Sequence, residues 1–575
     1  MARHSDYCEN DDLISNFHLF VAASVLLVCE CAKAMISSYN LHFLPEAGVC
    51  ILVGTMFGLV AHILPFTDID NISFDDKFFL SVLLPPIIFE AALQVSKIEF
   101  KRRRGAILMF SVLGTIISTF STGLMVHYAS KLIASVTTFP MLDSLVFGAL
   151  ISSIDPVAIL SVLTGLNMDQ KDTIFILVFG ESLLNDGIAI TVFQTLVDRF
   201  DGKTNDGYTS LDEILDAIAT FFIAMFGSIA VGLACGAGAW MYFKYLGKHL
   251  APVMEVGSFF LWALIPYYIC DGIGWSGIVS IVVVAFFMDV YIAGPKYPKK
   301  EGATPPASPA RDRDSYYSNL HEAQHEQEKS LSTANTVQSA ASFESTRSMA
   351  PLASTERIHM SATADKHVRF VAHLTSQLAE NAIFAYLGLF LFSKNYDWDP
   401  ILVTISIVSC VLSRSIMVVT VSYFIFHIYK CRGRGGNEKS SNKSSRTAAA
   451  IRNPRTQAVL VLSGLRGAVS LALVENVPIY SSATGEGCEF KQLMKGMTSA
   501  SILFTTFIFG GGAYYILPML GIHADDGMDD SCASDDTNPH RRIDAVWSPP
   551  VHVEAAIGTA EKPAVWISTP SRTVV

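Results

Sequence analysis

Long runs of apolar residues recur along this chain of 575 residues and constrain its fold more than any other feature. Each run has about 17–28 residues, which is enough for a helix to cross the hydrocarbon core of a bilayer. Hydrophobic residues make up 51% of the chain and charged residues 16%, whereas charged residues make up about 25% of a soluble domain. The sequence therefore predicts an all-α polytopic membrane protein.

The apolar runs predict thirteen transmembrane helices, which we number as spans 1 to 13. Their predicted bounds are about 15–36, 43–64, 77–95, 105–130, 143–165, 173–197, 214–243, 254–271, 276–294, 368–393, 400–428, 456–476 and 493–521. Two further segments are rich in small polar residues and mixed charge without apolar periodicity, which favours disorder. The predicted organisation is a short extracytosolic N-terminus (1–14), spans 1–9 (15–294), a disordered cytosolic insertion (295–366), spans 10–13 (367–521) and a disordered acidic cytosolic tail (522–575).

The Lys and Arg residues of the connecting loops predict the orientation of the chain. Loops after spans 3, 5, 7 and 11 hold 16 of them, and loops after spans 2, 4, 6, 8, 10 and 12 hold 5. Because cationic loops stay in the cytosol, we predict that the odd-numbered loops and the C-terminus are cytosolic. Asn71 then lies on the outer side, where its Asn-Ile-Ser sequence fits a glycosylation acceptor.

Composition excludes several other functions. The net charge of −11 sums loops on two sides of a membrane and gives no indication of nucleic acid as a partner. The ten Cys residues lie mostly in apolar runs as small hydrophobes, and their spacing predicts no cofactor. No Gly-rich loop of the nucleotide-binding type precedes a Lys-Ser or Lys-Thr pair. We therefore predict neither an ATP-driven pump nor an enzyme.

Span 6 carries the most informative polar residues. Ser182, Asn185 and Asp186 are three or four residues apart and share one face of a helix. Their oxygens would form a hard site that suits a small cation such as Na⁺ or K⁺. The alternative is a polar contact between helices, which explains Ser182 and Asn185. It leaves Asp186 uncompensated, and a charged side chain at the bilayer centre costs at least ~2.5–3.5 kcal/mol.

Spans 5 and 12 each contain an interruption. Pro156 follows Asp155 in span 5, and proline disfavours a helical conformation at the residue before it. Span 12 has Arg466 between Gly464 and Gly467, so a cation stands where span 5 has an anion. Discontinuous helices at membrane depth expose carbonyls to ions in transporters, and a spacing of seven spans fits two inverted repeats. The alternative for span 5 is a proline kink with Asp155 capping the second half-helix.

Three further charged residues lie inside spans. Arg414 in span 11 requires a partner, and Glu181 is the candidate because Asp186 must remain available to bind an ion. We therefore interpret Glu181 and Arg414 as a structural ion pair. Glu380 in span 10 is an additional intramembrane carboxylate, which we also assign to structure.

Four motifs, together with their order and spacing, resemble those of the eukaryotic sodium/proton exchangers, in the monovalent cation/proton antiporter (solute carrier 9-like) family. The similarity covers residues 15–521. Two other stretches, 39–46 and 509–512, are most similar to the intracellular, Golgi and endosomal branch of that family. The four motifs are Leu84-Pro85-Pro86-Ile87-Ile88-Phe89, Asp155-Pro156-Val157, Phe179-Gly180-Glu181-Ser182-Leu183-Leu184-Asn185-Asp186 and Gly464-Leu465-Arg466-Gly467-Ala468.

The resemblance implies a homodimer with the bacterial sodium/proton antiporter fold. In that fold a core domain with two crossed broken helices slides against a dimerisation domain. It further implies that Asp186 binds the cation or the proton. Asp155, Asn185, Ser182 and the carbonyl region of Ile154 would line that site. Glu181 would pair with Arg414, and Arg466 would compensate the crossed half-helices.

The resemblance predicts exchange of Na⁺ (or K⁺) for H⁺ across an endomembrane, with the plasma membrane as the alternative location. An Asn-Asp pair at 185 and 186 implies electroneutral exchange, in contrast to the Asp-Asp pair of electrogenic relatives. The alternatives are a K⁺-selective K⁺/H⁺ exchanger, a cation channel, or an intramembrane aspartyl hydrolase that uses Asp155 and Asp186. The insertion and the tail are where cytosolic regulators would bind.

Overall fold

Helices account for nearly all of the residues that the computed structural model describes, which are 2–39, 43–63, 79–133, 138–155, 157–165, 168, 172–198, 211–293, 360–391, 396–433, 450–479 and 487–520. All of these belong to one compact unit, Met1–Gly527. In the described part of the chain, the only β-pairing is an isolated bridge between Ile479 and Cys488. The predicted all-α class is confirmed.

Fifteen helices of the described residues make up the spans. They are α1 Ala2–Ser38, α2 Glu46–Ile63, α3 Phe79–Gln94, α4 Lys97–Leu132, α5 Met141–Ser152, α6 Val157–Gly165, α7 Thr173–Val197, α8 Leu211–Leu246, α9 Pro252–Ile273, α10 Gly277–Ala293, α11 Ala362–Phe390, α12 Pro400–Gly433, α13 Pro454–Leu462, α14 Ala468–Glu475 and α15 Lys491–Met519. Each of the thirteen predicted spans coincides with one helix, or with a pair in the case of spans 5 and 12. Seven of the helices are long and apolar enough to cross a membrane unaided.

The start of span 10 differs from its predicted position. Helix α11 begins at Ala362, so the last residues of the predicted insertion 295–366 form its first turn. Those residues are polar, which is why hydropathy misses them, but Ser361 caps the helix by accepting from the amide of Ala364. Residues 295–359 of the insertion, the tail 522–575, Asn71 and Pro156 lie outside the described residues.

The two edges of the insertion meet at one place. The backbone amide of Met360 donates to the carbonyl of Ile292, 3.3 Å away. Ser361 donates through its hydroxyl to the carboxylate of Glu255 on α9, at 2.7 Å. Ile292 and Met360, which flank the undescribed residues, therefore lie next to each other beside α9 and α10.

The helices form two bundles. The scaffold bundle contains α1, α2, α3, α8, α9, α10 and α11, and the site bundle contains α4, α5, α6, α7, α12, α13, α14 and α15. The bundles meet where α7 packs on α8, α10 and α3, where α14 packs on α11 and where α15 packs on α2. Both interrupted spans belong to the site bundle, and α7, α14 and α15 are the helices of that bundle that contact the scaffold bundle.

Small residues hold the centre of the scaffold bundle together. Gly54 and Gly58 lie one turn apart on α2, and a Cβ added to either would overlap the backbone of α11 at Ala385 or Leu389. Gly388 on α11 faces the backbone of α2 in the same way. Because glycine allows helix backbones to approach closely, dispersion and weak polar contacts bind α2 to α11 without a large side-chain interface.

Candidate ion-binding site

The two interrupted spans cross at the centre of the site bundle. Helix α5 ends at Ser152, and the chain is extended through Asp155 before α6 begins. Helix α13 ends at Leu462, and α14 begins after Gly467. The amide of Asp155 donates to the carbonyl of Leu465 at 2.8 Å, which joins the two extended segments. Each interruption leaves helix-end carbonyls and amides available to partners inside the membrane.

Glycine permits the crossing to be this close. A Cβ at Gly467 would lie 2.8 Å from the carboxyl carbon of Asp155 and closer still to its Cβ. A Cβ at Gly464 would lie 2.8 Å from Cγ of Arg414. The position of Gly467 also shows that the Asp155 carboxylate lies at the N-terminal end of α14, where a negative charge is favourable.

One face of α7 is bound to the extended segment after α5. The hydroxyl of Ser182 donates to the carbonyl of Ile154 at 2.8 Å. The amide nitrogen of Asn185 donates to the carbonyl of Ser152 at 2.9 Å. The carboxylate of Asp186 accepts from the hydroxyl of Ser153 at 2.6 Å. Three consecutive residues, the last of α5 and the first two of the extended segment, thus each bind one residue of the α7 face.

Asp186 is the residue of this face with an ionisable group, and it is buried, with 8% of its surface exposed. A cavity of about 520 Å³ lies between the two bundles and is lined by Asp186, Asp155, Ser182 and Arg466. Ser182 and Asn185 use their side chains to hold the extended segment, so the two carboxylates at 155 and 186 are the anionic groups that the cavity reaches at the crossing.

The cavity extends from the crossing towards one side of the molecule. Its lining includes Gln94 at the end of α3, Thr164 near the end of α6 and Phe175 near the start of α7. These helix ends are joined by the loops after spans 3 and 5, which the charge pattern assigns to the cytosol. With that orientation, the structure is a conformation in which the cavity leads from Asp186 towards the cytosol.

Arg414 is buried beside the crossing, and each of its three guanidinium nitrogens has a hydrogen-bond partner. Its guanidinium contacts both carboxylate oxygens of Glu181, one of them at 3.1 Å. Its Nε donates to the carbonyl of Leu460 at 2.9 Å, and Nη2 donates to the hydroxyl of Ser463 at 3.3 Å. Arg414 therefore neutralises Glu181 and also stabilises the C-terminal end of α13, where the helix dipole is negative.

Arg466 lies near the C-terminal end of α5, as Arg414 lies near the C-terminal end of α13. Its Nη1 donates to the carbonyl of Ser153 at 3.2 Å, just beyond the C-terminal end of α5, and its Nε donates to Sγ of Cys410 at 3.0 Å. Its Nη2 is buried and has no hydrogen-bond partner among the described residues. Each of the two half-helices that ends at the crossing thus has a buried arginine near its negative end.

Glu380 lies apart from the crossing but within reach of the same cavity. It belongs to α11 in the scaffold bundle and accepts from Ser376 at 3.4 Å. Glu90 on α3 and His373 on α11, 3.2 Å apart, also line the cavity. The carboxylates of Glu380 and Glu90 make this cavity attractive to cations along its length.

The sequence contains no signal for two further contacts at the candidate site. Ser153 binds Asp186, and Thr115 on α4 donates to the amide oxygen of Asn185. Ser153 is recognisable afterwards as a hydroxyl two residues before Asp155. Thr115 sits in an apolar run with no local feature to distinguish it, because its partner is 70 residues away in sequence.

Two crossed, interrupted helices around a buried carboxylate, reached by a cavity from one side, define a secondary transporter for a small cation. The family model described as "Sodium/hydrogen exchanger, transmembrane" matches residues 23–302 and 351–517. The chain belongs to this sodium/hydrogen exchanger family of transporters, and it exchanges sodium ions for protons across a membrane.

Individual relatives agree with this assignment. An uncharacterized Na⁺/H⁺ antiporter of Schizosaccharomyces pombe is 28% identical over 515 residues, which cover 89% of this chain and 74% of that protein. The endosomal/prevacuolar sodium/hydrogen exchanger of Saccharomyces cerevisiae is 24% identical over 519 residues, covering 89% and 68%. The structure of a sodium proton antiporter from Methanocaldococcus jannaschii matches with a TM-score of 0.54 and 14% identity, covering 88% of this chain and 99% of that one. This last likeness confirms the predicted antiporter fold.

Proposed function

We propose that Asp186 is the group at which a sodium ion and a proton compete, and that this competition couples their opposite movements. The observation that carries the proposal is the binding of the α7 face to the segment after α5, which holds the Asp186 carboxylate in the cavity lining with one oxygen bound by Ser153. Asp155 would supply further oxygen to the sodium ion. A carboxylate that holds either a proton or a sodium ion, but not both, exchanges one for the other.

The charges at the crossing support one-for-one exchange. Three carboxylates lie there, those of Asp155, Glu181 and Asp186, together with the guanidinium groups of Arg414 and Arg466. With all three carboxylates ionised the site has a net charge of −1, and one proton or one sodium ion brings it to zero. Moving an uncompensated charge through apolar surroundings is costly. The empty site is therefore held back, and both loaded forms can cross.

Movement of the site bundle against the scaffold bundle would provide alternating access. The cavity and the carboxylate both lie at the interface between bundles, and the structure opens them towards the predicted cytosolic side. Sliding of α7 and α14 past α3, α10 and α11 would close this cavity and open one on the other side. The scaffold bundle, with its glycine-packed α2 and α11, is suited to remain fixed during that motion.

Sodium is the cation that the family and its relatives support, and no feature of the site favours potassium instead. We propose an endosomal or related endomembrane location, in agreement with the yeast relative that is named for endosomes and the prevacuolar compartment. A homodimer and regulators that bind the insertion or the tail stay predictions of the family resemblance.

The test is Asp186→Asn in purified protein reconstituted in vesicles, with sodium-driven proton movement as the measurement. We expect transport to be abolished, because the amide accepts no proton in the working pH range. Asp143→Asn is the matched control. Asp143 is also a buried acid, at the other end of α5, where it accepts from Sγ of Cys488 at 3.2 Å. Substantial exchange by the Asp186→Asn protein, with the control protein active, would refute the proposal.

A further inference from the structure

An apolar groove opens between the two bundles on the side of α7 that faces away from the ion site. Its volume is about 670 Å³, within the range of small-ligand sites. Leu184 and Ile188 line it from α7, and each is two residues from Asp186, about 200° around the helix. The site bundle also contributes Leu108 and Val112 of α4, while Phe226 of α8 belongs to the scaffold bundle. The groove therefore borders both bodies that transport must move.

Cationic side chains lie at one end of this groove. Gly105 is the first residue of α4 that lines it, and Lys101, on the same helical face, is one turn earlier, towards the predicted cytosolic surface. Arg104 immediately precedes Gly105. Lys101 and Arg104 are exposed, and neither forms an ion pair within the described part of the chain. Arg102, by contrast, is paired with Glu99 at 2.6 Å.

We propose that the groove binds an acyl chain of an anionic membrane phospholipid, whose phosphate lies against Lys101 and Arg104. The groove lining is apolar apart from the Tyr429 hydroxyl, so a hydrocarbon chain is its natural occupant. The charge pattern assigns Lys101 and Arg104 to the cytosolic side, and the cytosolic leaflet is the one rich in anionic lipids. The apolar groove alone, or the two cations alone, would not distinguish a bound lipid from the surrounding bilayer. Together they favour an anionic lipid at this one position.

Such a lipid would regulate transport from the face of α7 that is opposite Asp186. The acyl chain of this lipid would lie between α7, which carries Asp186, and helices α8 and α10 of the scaffold bundle. A ligand that fits the groove in one conformation stabilises that conformation relative to others. The bound lipid would thus stabilise the state in which the cavity leads to the cytosol, and its removal would change the rate of exchange without altering the ion site.

The experiment compares phosphatidylserine with phosphatidylcholine, added to the full-length protein in detergent, using the melting temperature and the lipid retained in native mass spectrometry. We expect phosphatidylserine to be retained and to raise the melting temperature more. Neutralising Lys101→Gln or Arg104→Gln should weaken its apparent affinity by about fivefold each. Lys131→Gln, at the other end of α4, should have no effect and is the matched control.

A second pair of variants tests the groove itself. Leu108→Trp fills the groove and should abolish the preference for phosphatidylserine, whereas Phe120→Trp, exposed on α4 beyond the groove, should preserve it. Equal effects of the two lipids on the unmodified protein would overturn the proposal. So would an unchanged preference in the Leu108→Trp protein, or an equal shift caused by glycerophosphoserine, which lacks acyl chains.

Discussion

Two buried arginines lie beside the crossing of the interrupted helices, and they differ in what neutralises them. Arg414 is 2% exposed and binds a carboxylate through two nitrogens, while Arg466 is 1% exposed and binds a carbonyl and a thiol. The pair of Arg414 with Glu181 adds no net charge to the site. Arg466 adds a positive charge, and Asp155 and Asp186 are the other carboxylates at the crossing in the part of the chain that the structure describes. On the proposed function, the pair of Arg414 and Glu181 serves the fold, and Arg466 would set the charge of the site during transport.

The largest effect on stability should come from breaking the ion pair of Arg414 and Glu181. Arg414→Gln leaves Glu181 as a buried, unpaired charge and removes the donor to the carbonyl of Leu460. Loss of one partner of a buried ion pair costs about 3–5 kcal/mol, so we expect a much lower melting temperature and little folded protein. The double variant Glu181→Gln/Arg414→Gln should melt at a higher temperature than either single variant. Additive losses in the double variant would show that the two residues act independently.

The crossing shows which parts of the site can be predicted from sequence. The face of Ser182, Asn185 and Asp186 follows from helical periodicity, and the interruptions follow from proline and glycine, because both are local properties of the chain. The pairing of Arg414 with Glu181 required only that buried charges need partners. By contrast, the contacts of Ser153 and Thr115 depend on how helices pack, and no periodicity encodes that packing.

The positions of the helices are likewise predicted from the sequence only in part. Apolar length locates all thirteen spans, since crossing a bilayer requires it. It does not locate the polar first turn of α11, which is fixed by the cap at Ser361 and by the contact of Ser361 with Glu255. Nor does it reveal that the candidate ion-binding face of α7 is opposite a face that lines the apolar groove, because both lie within one apolar run.

Removal of the Arg466 guanidinium should have a smaller effect on stability and a clear effect on ion binding. Arg466→Gln takes a positive charge from the site, so the ionised site becomes more negative and should bind sodium about tenfold more tightly, as a change of about 1.4 kcal/mol implies. One sodium ion would then leave the loaded site charged. Sodium-dependent stabilisation measures the affinity, and the conservative variant Arg466→Lys should retain the original value. Unchanged affinity in the Arg466→Gln protein would remove Arg466 from the charge balance.

The last prediction adds a negative charge where the Arg466 variant removes a positive one. Asn185→Asp keeps the size of the side chain and the contact with Thr115, but it loses the hydrogen bond that Asn185 donates to the carbonyl of Ser152. We expect a loss of stability of about 1 kcal/mol, because that carbonyl is left with one partner fewer. The ionised site would have a charge of −2, so a complete cycle would move net charge. Exchange in vesicles should become dependent on an imposed voltage.

A neutral substitution at position 185 separates the effect of the added charge from the effect of the lost hydrogen bond. Asn185→Ser loses the same hydrogen bond without adding a carboxylate, so its exchange should be slower but remain independent of voltage. If the Asn185→Asp protein is also independent of voltage while it transports sodium, the charge at position 185 does not enter the cycle. In that case the neutral sum of three carboxylates, two guanidinium groups and one cation would not support one-for-one exchange.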